Sequence, residues 1–244
     1  NNMKKRFNMT NTHYLYDDNI GKIELVQHVG EDITVVNSAR VSFGVEKKEL
    51  DNKDEKLINY LIKHRHTSTL EHNIATFRIK VPLFVRSQHH RHRTWSYNEI
   101  SRRYTDINIE FYEPSSFRTQ HKSNRQSSNI ADTVNPLLDF KTAECSSPLT
   151  LTASEAISRH HRDCLKFFDS LLDSGICREQ ARGVLPQNLY TEYYATANLN
   201  NILKFVNLRS HEGAQWEIQQ LSDRMLDIVK HLWPITVNSF INNT

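Results

Sequence analysis

QHHRHRTWSYNEISRRY, residues Gln88 to Tyr104, gathers four arginines and three histidines in one short run. Polar residues dominate its seventeen positions, yet Trp95, Tyr97 and Tyr104 are interleaved, so it is neither an ordinary core element nor an ordinary linker. In extended backbone Arg91 and Arg93 face one way and His92 the other. Two guanidiniums on one face match phosphate oxygens, which accept their forked donors. Ser101, Arg102 and Arg103 add a hydroxyl and two more cations, and Asn98 and Glu99 offer groups that read a base or a ribose. Between Arg78 and Arg103 lie seven basic residues and one acid, Glu99, so that window carries +6 and the rest of the chain −3. Such repulsion is destabilising without an anion to offset it, which points to a localised anionic ligand. Other readings of the same residues are a solvated basic loop, a nucleic-acid patch that stacks bases on aromatics, and a metal site on His89, His90 and His92. The neighbouring arginines repel a cation, so no metal is expected.

The surroundings narrow the choice. The chain has 244 residues, a net charge of +3 and 38% hydrophobic residues, enough to bury a core as one unit with an insertion. Its six glycines (21, 30, 44, 175, 183 and 213) nowhere have the spacing of a dinucleotide turn or a P-loop. Cys145, Cys164 and Cys177 form no CxxC pair and no disulfide framework. Asn1 to Ile20 is polar, without the apolar stretch of a signal peptide, and no apolar run reaches membrane-spanning length. A reducing cytoplasm is the expected compartment, with no membrane partner.

Periodicity supplies the elements. Lys22 to Val29 and the alternation of Phe77, Ile79 and Val81 read as strands, as do Ile107, Ile109 and Phe111, and Leu189 to Ala197 reads as extended. Glu31 to Val41, Asp51 to His64, and Leu83 to Gln88 after Pro82 read as helices. From Ser115 to Glu155, 18 of 41 residues are Ser, Thr, Asn or Gln, the composition of a surface insertion with a short helix near Pro136 to Ala143. A longer helix follows, capped by Ser154, with Ile157, Cys164, Leu165, Phe168, Leu171 and Leu172 inward and Gly175 as its stop. Arg178 to Leu185, Ile202 to Leu208 and Ala214 to Leu232 complete the helices, the last ending at Pro234. The expected fold class is α+β, a small antiparallel sheet flanked by helices. Neither Cys164, on an apolar helix face, nor Cys145, in the polar insertion, has an activating partner in the sequence, and Cys177 reads as structural.

RHRTWSYNEIS, Arg91 to Ser101, resembles the signature of the flavin-dependent thymidylate synthases: Arg-His-Arg, seven residues, then Ser. Four further blocks resemble that family in the same order: HRHTSTLEH (64–72), FVRSQHHRHR (84–93), REQARGVLPQNLY (178–190) and NLRSHEGAQWEIQQ (207–220). Together they cover most of the chain outside the N-terminal tail and the polar insertion. The resemblance implies a single domain over 1–244 with the thymidylate synthase-complementing fold and the insertion at about 115–155. It implies reductive methylation of dUMP to dTMP, with methylenetetrahydrofolate as carbon donor, FAD as hydride carrier and NADPH as reductant. It also implies a homotetramer with sites shared between subunits. A nucleic-acid-binding module and an inactive homologue with weakened flavin binding are the alternatives; no nucleic-acid partner is expected.

Carried over position by position, Gln88, Arg91, Glu99, Ser101, Arg102, Arg103, Arg182 and Arg209 surround dUMP, with Arg103 and Arg182 on the phosphate. Arg209 is the residue implied for chemistry: a guanidinium beside the N3–C=O edge favours the ionised ring and pushes electron density towards C5. Ser101 is implied as a positioning hydroxyl. Ser68, Arg91, His92, Arg93, Glu99 and Asn198 match FAD positions, and His66 matches a histidine facing the flavin and folate region. The chain departs from the family at Ser68, usually threonine, at Asn200, commonly arginine, at Lys204, commonly asparagine, and at Gly213, usually histidine. Asn200 and Lys204 lie on the flavin side one helical turn apart, a candidate charge swap. Weaker FAD retention than is usual for the family is the expectation.

Overall fold

Phe77, Ile79 and Val81 are fully buried while Arg78 between them is exposed, so the period-two alternation sets the central strand as expected. The structure is a computed structural model and describes residues 12–125, 127–140 and 149–244. Its strands are β1 (His13–Tyr14), β2 (Lys22–Val29), β3 (Ile74–Pro82), β4 (Ser96–Glu99), β5 (Phe117–Gln120), β6 (Ser128–Val134), β7 (Leu137–Phe140), β8 (Leu149–Thr152) and β9 (Tyr190–Asn198). Its helices are α1 (Asp32–Arg40), α2 (Asn52–Lys63), α3 (Leu83–His89), α4 (Ala153–Asp173), α5 (Arg178–Ala181), α6 (Leu199–Arg209), α7 (Trp216–Leu232) and α8 (Pro234–Asn243). The main sheet has the order β1-β2-β3-β9-β4, with β1, β2 and β3 pairing antiparallel and Ile23 opposite Ile79. The chain divides into two compact units.

The first unit runs to Lys80 and adds Gln88–Asn98 and Glu192–Thr244. Its core joins Ile23, Phe77 and Ile79 of the sheet to Val35 and Val36 of α1, Ile58 of α2, Phe205 of α6 and Ile218, Leu221 and Met225 of α7. Asp51 caps α2, accepting from the backbone N–H groups of Lys53 at 2.8 Å and Asp54 at 3.1 Å. Trp233 is fully buried and donates from Nε1 to the Gly30 carbonyl at 2.9 Å. Gly30 has φ +89°, and a Cβ there would collide with the Asn73 side chain, so only glycine fits.

α8 is a helix absent from the sequence expectation, which stopped at Pro234. Pro234 is in fact the first residue of a new helix, and the cap comes from far away. Buried Asp32 accepts from the Ile235 N–H at 3.0 Å, the Thr236 N–H at 2.8 Å and the Thr236 hydroxyl at 2.6 Å. No residue near Pro234 in sequence announces that cap.

The second unit comprises Val81–Ser87 and Glu99–Thr191. Here the expected strand at Ile107 to Phe111 does not form; only Phe111 makes a β-bridge, to Leu189. Arg102 donates to the Ile107 carbonyl at 2.7 Å and the Asn108 carbonyl at 3.2 Å, and Asn108 adopts φ 55°. Those carbonyls are thereby taken from any ladder. The short helix expected near Pro136 to Ala143 is instead the hairpin β7–β8 over its described part; residues 141–143 lie outside the described residues. Thr150 Oγ1 donates to Asp139 Oδ1 across that hairpin at 2.7 Å. A second hairpin pairs β5 with β6.

Helix α4 begins one residue before the expected Ser154 cap. Thr152 and Glu155 form a capping box, while Ser154 bonds to Asn135. Of its expected inward residues Phe168 is fully buried, whereas Ile157, Cys164, Leu165, Leu171 and Leu172 are half-buried. His161 is buried as well, with Nδ1 2.8 Å from Glu113 Oε1 and its ring stacked on Phe111. No helix among the described residues is long and apolar enough to cross a membrane.

Candidate functional site

In the second unit a cleft of about 550 Å³ opens between the start of α3, the segment Glu99–Arg102 and the turn after α5. Arg86, Glu99, Ser101, Arg102 and Arg182 all line it. Glu99 is held on two sides. Thr191 Oγ1 donates to Glu99 Oε1 at 2.6 Å, and Arg86 Nε stands 3.2 Å from the same oxygen, an ion pair whose angle falls outside hydrogen-bond geometry. Arg86 is a site residue that sequence reasoning missed, although it lies in the basic window and in the block FVRSQHHRHR. Helix α3 places it at the cleft. Thr191, buried on β9, carries no signal in the sequence at all.

Four other arginines near this cleft divide by role. Arg102 spends both terminal nitrogens on the backbone of residues 107 and 108, and burial lowers its pKa. It therefore braces the loop beside the cleft. Arg103 is exposed, bonded to the Tyr104 hydroxyl at 2.8 Å and lying 5.3 Å over that ring. Arg178, on α5, pairs with Asp106 at 2.8 Å. Arg182, one turn further on, is exposed and has no side-chain partner among the described residues. Ser101 Oγ accepts from the Arg103 N–H at 3.3 Å, and its own proton remains for another acceptor.

The first unit holds the other expected residues. The loop Gln88–Tyr97 is less open than the sequence suggests, because its histidines fold into an aromatic cluster. His89 is fully buried, with Nδ1 2.8 Å from the Tyr193 hydroxyl and ring centroids 4.7 Å from Phe205 and 4.8 Å from Trp95. Burial, then the charges of His90, His92 and Arg209, push its pKa well below the usual histidine value. His90 stacks near Tyr97 at 4.1 Å, and burial pushes the Tyr97 phenol up. Among the described residues no three His, Cys, Asp or Glu side chains gather as a metal site needs.

Around that cluster, Gln88 Nε2 donates to Gln215 Oε1 at 2.6 Å. Arg209, the last residue of α6, donates from Nε to His92 Nε2 at 3.0 Å. His92 is half-buried, and burial together with Arg209 lowers its pKa to about 4. Arg91 and Arg93 are exposed and have no side-chain partner among the described residues. Ser68 is exposed in the turn Thr67–Leu70, and His66 just before it is exposed, 5.9 Å from the Tyr60 ring. Asn198 caps α6, accepting from the Asn201 N–H at 3.0 Å. Asn200 is buried and donates to Glu71 Oε1 at 2.9 Å, whereas Lys204 is exposed. Gly213 donates its N–H to His211 Nδ1 at 3.0 Å.

Cys164, expected to lack an activating partner, lies 3.5 Å from His160 Nε2 one helical turn away. Cys177 is exposed, 3.7 Å from Gln180 Oε1, and Cys145 lies outside the described residues. Neither described thiol lines the cleft. The chemistry of the donor set in the first unit fits a flavin dinucleotide. Arg91, Arg93 and Ser68 are donors whose side chains have no partner among the described residues, as a diphosphate and a polyol chain require.

Comparisons with known proteins bear on this arrangement. The profile of a family described as thymidylate synthase complementing protein matches residues 24–235. A flavin-dependent thymidylate synthase of Thermus thermophilus is 42% identical over 220 residues, covering 90% of this chain and 75% of that protein. One from Thermotoga neapolitana is 38% identical over 91% of both chains. Among solved structures, a UMP/dUMP methylase, PolB, from Streptomyces cacaoi bound with 5-Br dUMP superposes with a TM-score of 0.74 at 31% identity. That match covers 90% of this chain and 94% of PolB. A second structure of PolB, bound with 5-Br UMP, superposes at 0.73. These relatives do not favour a nucleic-acid module or an inactive homologue. The α+β fold, the signature at 91–101 and the relatives agree, and the chain belongs to the flavin-dependent thymidylate synthase family.

Proposed function

We propose that this protein methylates dUMP reductively to dTMP, with the second-unit cleft as the nucleotide site and 1–244 acting as one synthase domain. When bound, FAD supplies the hydride, with NADPH as its reductant and methylenetetrahydrofolate as the carbon donor. The observation that carries the reading is the cleft itself, lined by Arg182, which has no side-chain partner among the described residues, by the Ser101 hydroxyl and by a carboxylate held by Thr191 and Arg86. Arg182 and Arg103 grip the phosphate, Ser101 positions the nucleotide, and Glu99 accepts from a ribose or base donor. Arg102 holds the loop that frames them; the family resemblance also assigns Gln88 and Arg91 to dUMP.

Arg209 acts on the pyrimidine. A guanidinium stays charged at any working pH, so it stabilises a uracil anion without titrating, which raises electron density at C5. Ser68, Arg91, His92, Arg93 and Asn198 hold FAD, to which the family resemblance also assigns Glu99, and it places His66 on the flavin and folate side. Asn200, neutral and engaged by Glu71, and exposed Lys204 weaken FAD retention relative to the family. The assembly is a homotetramer with sites shared between subunits, working in a reducing cytoplasm.

The test is a visible spectrum of the protein loaded with FAD and desalted, then treated anaerobically with NADPH with and without dUMP. Retained flavin bands that bleach with NADPH and respond to dUMP are expected. Flavin bands indifferent to dUMP at saturating concentration overturn the reading.

A further inference from the structure

We infer that His92 is a positioning residue for Arg209: its Nε2 accepts the Arg209 Nε proton and fixes which edge of the guanidinium remains for the pyrimidine. The inference rests on the assignment of Arg209 to the uracil ring. Arg209 Nε donates to His92 Nε2 at 3.0 Å, and the two terminal nitrogens have no partner among the described residues. One edge is thus anchored and the other left for a ligand, in a side chain that otherwise has several free rotors.

The anchor is itself braced. Phe205 and Arg209 lie one turn apart on α6, so both meet the same side group. The His92 ring stands edge-on to fully buried Phe205, with centroids 4.9 Å apart and planes at 85°. Behind it lies His89, 6.5 Å away and tied to the Tyr193 hydroxyl. A neutral imidazole suits the task better than a carboxylate. A carboxylate on Nε would also hold the guanidinium, but it would cancel the positive charge that the uracil anion needs. Imidazole fixes the geometry and leaves the charge intact. An imidazolium has no acceptor, and burial with Arg209 nearby keeps His92 in the neutral form at neutral pH.

A double-mutant cycle tests this on the FAD-loaded protein, with dUMP affinity by calorimetry and turnover as readouts. His92→Leu is expected to weaken dUMP binding or turnover roughly tenfold, as loss of a hydrogen bond to a charged group does. His92→Gln, which places an amide oxygen near the lost Nε2, restores most of it. It also keeps the test open should His92→Leu fail to fold. In an Arg209→Gln background, His92→Leu adds nothing. Equal effects of His92→Leu in both backgrounds overturn the inference, as does a His92→Gln variant no better than leucine. If Arg209→Gln alone leaves dUMP binding and turnover unchanged, the assignment of Arg209 fails first. If it impairs them while His92→Leu does not, only the role of His92 falls.

Discussion

Replacing Arg182 by glutamine separates a phosphate ligand from a structural arginine. Arg182 sits in a short turn after α5, exposed, lining the cleft and without a partner among the described residues. Its removal breaks no side-chain bond among the described residues, so the unfolding free energy is expected to change by no more than about 0.5 kcal/mol. A charge-assisted bond to a phosphate contributes about 1.5 to 3 kcal/mol. At about 1.4 kcal/mol per decade, the variant should bind dUMP roughly 10- to 150-fold more weakly. Calorimetry with dUMP and with deoxyuridine, which has the base and sugar but no phosphate, reads the effect directly. Both proteins should bind deoxyuridine equally, and the salt dependence of dUMP binding should be shallower in the variant. Unchanged dUMP affinity, or an equal loss for deoxyuridine, refutes Arg182 as the phosphate ligand.

Three further outcomes follow from the first unit. Asp32→Ala leaves the first N–H groups of α8 without their acceptor, and is expected to destabilise the protein by about 3 kcal/mol in denaturant titrations. Gly30→Ala meets both the positive φ and the Asn73 side chain, so a loss of at least about 2 kcal/mol is expected in the same assay. His13, His89 and His92 all have folded pKa values below 6.5, so between about 4 and 6.5 the unfolded chain binds more protons. The contribution of these three histidines to stability is therefore complete above 6.5 and falls as pH drops through that window. For half-exposed His92 the share is about 1 to 2 kcal/mol after solvent screening, and His92→Gln should flatten the slope by that amount.

Much of this architecture is written locally. The alternation of Phe77, Ile79 and Val81 and the capping Asp51 are interactions between near neighbours, and both elements form where the pattern places them. The misses share a different cause, a partner distant in sequence or a side chain competing with the backbone. Asp32 caps α8 from 204 residues away, so Pro234 reads as a stop. Arg102 takes the carbonyls of residues 107 and 108, so the apolar residues around them make no strand. At the site, the crowding of cations, the interleaved aromatics and the signature at 91–101 marked the segment 88–104. What pattern could not convey is that His89 is core. A neutral imidazole is buried only once Tyr193, 104 residues on, meets its Nδ1. Likewise Arg86 looks like any other helix arginine until Glu99 is placed beside it.

The central claim is that this chain makes dTMP by a flavin-dependent route. The most direct measurement is chromatographic detection of dTMP after anaerobic incubation of the FAD-loaded protein with dUMP, methylenetetrahydrofolate and NADPH, with each component omitted in turn. The account predicts dTMP only in the complete mixture, and far less of it with Arg209→Gln. Flavin-loaded protein that yields no dTMP from the complete mixture, or yields it equally without FAD, contradicts it.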